Sequence, residues 1–148
     1  MILKSRKGFT IIELLIVIAV IAILIGIALP KFKGMRDEGN IAKAKGELRT
    51  LQTAVESYKI HTNSYPTALG NLNANTTVPN IIGSTLPYDP FGATSTTNYG
   101  YSANGSYYVI YSIGVNGNGT ASVDNASGNV TAANNSIYVS NGTPGSGG

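Results

Sequence analysis

The chain has 148 residues, 43% of them hydrophobic, no cysteine and a formal net charge of +3. That length holds one small domain plus an anchor rather than two full domains, and the lack of cysteine excludes disulfide staples, thiolate chemistry and Cys-based metal sites. The positive charge is not a nucleic-acid footprint: Lys4, Arg6 and Lys7 precede an apolar run, the remaining basic residues all fall between Lys31 and Lys59, and beyond residue 60 there is no Lys or Arg, so no nucleic-acid contact by the C-terminal region is expected.

Residues 1–8, MILKSRKG, read as a short basic leader, and residues 9–29, FTIIELLIVIAVIAILIGIAL, are almost wholly apolar. At about 1.5 Å per residue this helix spans roughly 31 Å, the thickness of a bilayer's hydrocarbon core. The basic side is expected to stay cytoplasmic. An ordinary secretory signal needs a shorter apolar region followed by a small-residue cleavage site; here Pro30-Lys31-Phe32-Lys33 follows instead. A plain N-terminal anchor is the second alternative. Glu13 separates these readings, because a lone carboxylate in an apolar span is costly and calls for a partner. Cleavage between Gly8 and Phe9 would supply one, the new α-amine of the same or a neighbouring chain.

The segment KGFTIIELLIVIAVIAIL resembles the class III signal of bacterial type IV pilins and type II secretion pseudopilins. The resemblance implies that a prepilin peptidase cuts after Gly8 and methylates Phe9, and that Glu13 serves assembly.

Beyond the span, Ile41, Ala44, Leu48, Leu51, Val55 and Tyr58 recur at steps of three and four, a helical stripe. Arg36, Asp37, Lys43, Lys45, Glu47, Arg49, Glu56 and Lys59 fall on the other faces. The stripe is expected to dock on the chain's own β-sheet; a two-stranded coiled coil is the alternative. Gly26 and Pro30 are expected to interrupt the helix, since proline removes a backbone donor and crowds the preceding turn. The resemblance implies local melting there in a filament. Pro66 is expected to end the rod.

In the head, residues 68–87 read as a loop or short irregular helix, and Asp89-Pro90-Phe91-Gly92 as a turn with an apolar anchor. Residues 98–102 and 107–112 read as strands around an Asn104-Gly105 hairpin turn, with further short strands near 120–123 and 137–139. The fold class expected is α+β: a long N-terminal helix, half membrane-spanning and half amphipathic, packed on a small antiparallel sheet. The divisions are 1–8 leader, 9–30 transmembrane and assembly helix, 31–62 amphipathic helix, 63–140 head and 141–148 flexible tail.

YKIHTNSYPT, LPYDPFG and YYVIYSIGVNGNG resemble the G-type major pseudopilin of type II secretion. That likeness implies a calcium loop after the sheet. Asn116, Asn118 and Asp124, with Asn125 beside them, are the available ligands, but Asp124 is the sole carboxylate there, whereas calcium prefers six to eight oxygens with several charged; a Gly/Asn turn pair is the plainer reading, and no other cofactor is expected. Asn75, Asn104, Asn118, Asn125, Asn129, Asn134 and Asn141 each begin an Asn-x-Ser/Thr sequon, in a region whose composition alone produces many. The nine tyrosines read as strand packing rather than an electron path. No nucleophile–base pattern or phosphate-binding loop accompanies the lone His61, so an enzyme is not expected.

The function expected is a structural filament subunit. It is cut by prepilin peptidase, is carried by an inner-membrane assembly platform, and polymerises with itself and with minor pilins or pseudopilins. Its place is the bacterial inner membrane as a precursor, then a periplasmic or surface filament. Pseudopilus and surface pilus (adhesion, motility or DNA uptake) both remain open, as does a membrane-anchored binding module that never polymerises.

Overall fold

The computed structural model describes residues 8–74, 82–83 and 85–144. The chain divides into two compact units, one ending at Asp37 and the other beginning at Glu38. Helix α1, Ile11–Thr62, contributes to both.

In the first unit the helix is Ile, Leu, Val and Ala on every face, and none of its most apolar window is buried. Large apolar residues stay exposed throughout, from Phe9 at 91% to Ile21 at 47%. This segment is long and apolar enough to cross a membrane. The expected interruption is not realised in the isolated chain: α1 runs through Gly26 and Pro30. Proline removes a single donor, and the flanking turns keep their own bonds.

In the second unit α1 presents the expected stripe. Ala44, Leu48, Leu51, Ala54, Val55 and Tyr58 are buried, with Ile41 half-buried. Each large member contributes roughly 1.5–3 kcal/mol on burial. The helix stops earlier than Pro66 requires. Asn63 adopts φ 59, a left-handed residue closing the C-terminus, and its N–H bonds the Lys59 carbonyl. A short helix, α2, spans Asn71–Ala74.

Strands β1 (Gly100–Asn104), β2 (Tyr107–Ser112) and β5 (Ile137–Ser140) form an antiparallel sheet in the order β1-β2-β5. The hairpin pairs Asn104 with Tyr107, so its loop is Gly105-Ser106, one residue later than expected, with Gly105 at φ 60. A second sheet lies beyond the first. It comprises β3 (Thr120–Val123), β4 (Asn129–Ala133) and β6 (Thr143–Pro144) in the order β3-β4-β6, with β4 and β6 parallel.

The alternation of β2 explains the layering, because successive side chains point to opposite faces. Tyr108 and Ile110 join Leu48, Leu51 and Val55 of α1 in one core. Val109 turns the other way and packs with Ala121, Val123 and Val130 of the second sheet. β5 repeats the pattern, Ile137 and Val139 facing the first core and Tyr138 the second.

The start of the expected flexible tail is fastened instead. The Tyr108 N–H donates to Asn141 Oδ1, Asn141 Nδ2 donates to the Ser106 carbonyl and the Tyr65 hydroxyl, and Thr143 N–H bonds the Gly128 carbonyl. A side-chain amide that satisfies three strand and loop groups, plus two residues of β6 ladder, outweighs the local Gly/Ser composition. Residues 145–148 of that tail lie outside the described residues.

Candidate functional site

The first candidate site is the start of α1. Gly8 and Phe9 are exposed and precede the helix. Thr10 caps it: Thr10 Oγ1 accepts from the Glu13 N–H at 3.3 Å, while Glu13 Oε2 accepts from the Thr10 N–H at 2.8 Å and from the Thr10 hydroxyl at 2.8 Å. This reciprocal capping box satisfies two otherwise orphaned helix donors. The lone carboxylate of the apolar span therefore has a local partner in Thr10. The signal was present in the sequence as Thr-x-x-Glu ahead of an apolar run.

Glu47 and Glu56, placed by periodicity on outer faces, also turn toward the sheet. Tyr99 donates to Glu47 Oε2 at 2.6 Å, Tyr108 donates to Glu56 Oε1 at 2.7 Å, and Tyr65 donates to Glu56 Oε2 at 3.4 Å. Burial, followed by the adjacent Glu47 carboxylate, pushes the Tyr99 hydroxyl far above the ordinary tyrosine range. Burial and Glu56 do the same to Tyr108. Tyr65 and Tyr108 rings stand 4.8 Å apart, and Lys59 Nζ lies 4.2 Å from the Tyr65 ring centre. Tyr65, Tyr99 and Tyr108 are thus packing residues whose polar tips clamp α1 to the head.

The head-loop candidates are not gathered into one site. Asn116 and Asn118 lie in the turn before β3, and Asp124 lies after it. Four strand residues at about 3.3 Å each set these ends roughly 13 Å apart along the backbone. Asp124 Oδ1 is committed to the N–H groups of Ala126 and Ser127 and to the Ser127 hydroxyl. The Ser127 hydroxyl and N–H hold its carboxyl below the usual range. Among the described residues no group of three His, Cys, Asp or Glu is placed to hold a metal. Asn116, Asn118 and Asp124 do not fit the calcium site that the resemblance implies.

The sequons divide by what their amides do. Asn104, Asn118, Asn125 and Asn129 are exposed. Asn134 and Asn141 are exposed too, but Asn134 Nδ2 donates to the Asn118 carbonyl and Asn141 Nδ2 is doubly engaged. A glycosylated amide keeps a single N–H, so a glycan on Asn141 would cost one of its two bonds, whereas Asn134 has a second hydrogen to spare. Asn75 lies outside the described residues. His61 bonds the Ser57 carbonyl through Nδ1 at 2.8 Å.

The family model described as Type II secretion system (T2SS), protein G matches residues 31–130, about two thirds of the chain. The chain belongs to the T2SS protein G family. A second model, the prokaryotic N-terminal methylation motif, matches residues 3–29 and so covers Gly8, Phe9 and Glu13 of this protein G family member. Type II secretion system core protein G of Pseudomonas aeruginosa is 28% identical over 127 residues, covering 77% of this chain and 87% of its own. The core protein G of Klebsiella michiganensis is 29% identical over 100 residues, 60% of this chain and 70% of the relative. A fimbrial protein of Pseudomonas aeruginosa is 44% identical over 55 residues, 37% and 36% of the two chains. No solved structure matches this protein G family chain.

Proposed function

We propose that this chain is the major pseudopilin-type subunit of a type II secretion filament. Prepilin peptidase cuts it between Gly8 and Phe9 and methylates Phe9. The subunit waits in the inner membrane through residues 9–30, and an inner-membrane platform then draws it into a polymer of itself with minor pseudopilins. The observation that carries this reading is the first unit. Among the described residues nothing buries its most apolar stretch, while the second unit buries its own core. Lipid covers such a helix in the precursor, and copies of the same helix cover it in a filament.

Glu13 takes two partners in turn on this reading. In the precursor the Thr10 N–H and hydroxyl spare it an unpaired burial in the membrane. In the polymer a neighbour's Phe9 amine offers a full charge. Removing an N–H donor from Gly26–Pro30 also makes this stretch the natural place for α1 to unwind in a packed bundle. The test compares Glu13→Ala with Thr10→Ala. Both lose the capping box, but only the first loses the carboxylate. Glu13→Ala is expected to be cleaved and then excluded from filaments, and Thr10→Ala to be cleaved and to assemble. Wild-type assembly of Glu13→Ala would defeat the pairing idea.

The fimbrial relative favours a second reading, a surface pilus subunit. Sheared fibres from unmodified cells separate the two. Phe9-methylated chain in long extracellular fibres supports the pilus, and methylated chain confined to the envelope with a secretion defect on deletion supports the pseudopilus.

A further inference from the structure

The loop between β2 and β3, which the family likeness would give to calcium, is closed by hydrogen bonds between protein groups. Asp89 is 3% exposed, yet both its oxygens are used. Oδ1 accepts from the Ser112 hydroxyl at 2.8 Å and the Phe91 N–H at 3.0 Å, and Oδ2 accepts from the Ile113 N–H at 2.8 Å. Ser112 Oγ then accepts from the Gly114 N–H at 3.2 Å. Asp89 therefore ties the 89–92 turn to the end of β2 and the first residues of the loop.

The rest of the loop is stitched in the same way. Gly117 N–H bonds the Gly114 carbonyl and Gly119 N–H bonds the Ile113 carbonyl. Asn134 Nδ2 donates to the Asn118 carbonyl, and Ser136 donates to the Thr120 carbonyl. Gly114 takes φ 68, and a β-carbon there would meet the Asn135 carbonyl oxygen, so loop and crossover pack backbone to backbone. A cation site needs several oxygens left free to turn inward. Here Asp89 and the carbonyls of Ile113, Asn118 and Thr120 already have donors. Asp124, the other carboxylate beyond residue 60, serves a different turn.

We infer that Asp89, with Ser112 and the Ile113 N–H, takes the place of a metal in closing this loop, so that the head folds and keeps its stability without calcium. This holds for a pilus or a pseudopilus subunit alike. The experiment measures thermal unfolding of the detergent-solubilised full chain in excess chelator and then in millimolar calcium. It compares wild type with Asp89→Asn, Ser112→Ala and Asp124→Asn. The expected result is one unfolding temperature for wild type in chelator and in calcium. Asp89→Asn is expected to lower it by several degrees and Ser112→Ala by less, neither being rescued by calcium, with Asp124→Asn changing it least. If Asp89→Asn fails to fold, Ser112→Ala carries the comparison. A saturable rise in the wild-type unfolding temperature with calcium, abolished by Asp124→Asn, would overturn the inference. So would Ser112→Ala and Asp89→Asn both matching wild type.

Discussion

The two units of the chain solve the burial of apolar surface in opposite ways. From Glu38 onward, one helical stripe is sealed by Tyr108 and Ile110, and the far side of β2 is sealed by a second sheet. Up to Asp37, the helix is more apolar and none of its most apolar stretch is buried. The hydrophobic effect acts on both, so the difference lies in where the cover comes from. The head carries its own, and in the function proposed above lipid or other copies cover the N-terminal unit. A monomer's stability and its capacity to assemble are therefore separable properties, written in different residues.

The strongest way to break that comparison is to charge the first unit. Ile18→Lys places an ammonium near the middle of the apolar span, at a cost of about 2.5–3.5 kcal/mol for insertion. Membrane retention and filaments are expected to be lost while the head's unfolding temperature stays at the wild-type value. A parallel fall in head stability would show that the units are not independent. Leu51→Ala tests the other side. It removes a fully buried side chain and should cost about 2–5 kcal/mol, seen as a lower denaturant midpoint, while prepilin cleavage continues.

The tyrosine clamps sharpen the picture of the head. Tyr108→Phe and Tyr99→Phe each remove a hydrogen bond to a carboxylate, worth roughly 1.5–3 kcal/mol. Both hydroxyls hold their protons more tightly folded than unfolded. Their stabilising effect is therefore complete below the unfolded tyrosine pKa of about 10 and is lost as pH rises beyond it. Alkaline titration followed by circular dichroism should show cooperative unfolding that the double Phe variant undergoes at a higher pH. The smallest effect is at the end of α1. Asn63→Ala puts a β-branch-free but unsupported residue at φ 59 and should cost about 1 kcal/mol, whereas Asn63→Gly should cost less.

The sequence made the helix legible because its signals are periodic and local. The stripe from Ala44 to Tyr58 needs only a spacing of three and four, and the membrane length needs only a count. The turn at Asp89, the Tyr-rich hairpin and the short strands near 120 and 137 were legible for the same reason. What was hidden depends on partners far along the chain. Glu47 and Glu56 look like solvent-facing charges until Tyr99 and Tyr108, each 52 positions away, are folded onto them. β4 has a single valine, and β6 is two residues ending in proline. Neither has a pattern of its own: β4 is held by β3, and β6 by β4 and the Thr143 bonds to Gly128 and Asn129. The Glu13 cap, by contrast, is written locally in the Thr-x-x-Glu spacing.

The central claim is that the first unit is cut, modified and then covered by copies of itself. The most direct measurement is N-terminal peptide mass spectrometry of the chain recovered from purified filaments, beside the same chain from the membrane of a peptidase-deficient strain. The account predicts filament subunits that begin at N-methylated Phe9, and a membrane form that retains Met1–Gly8 and never enters filaments. Filaments built from chains that still carry Met1–Gly8 would contradict it.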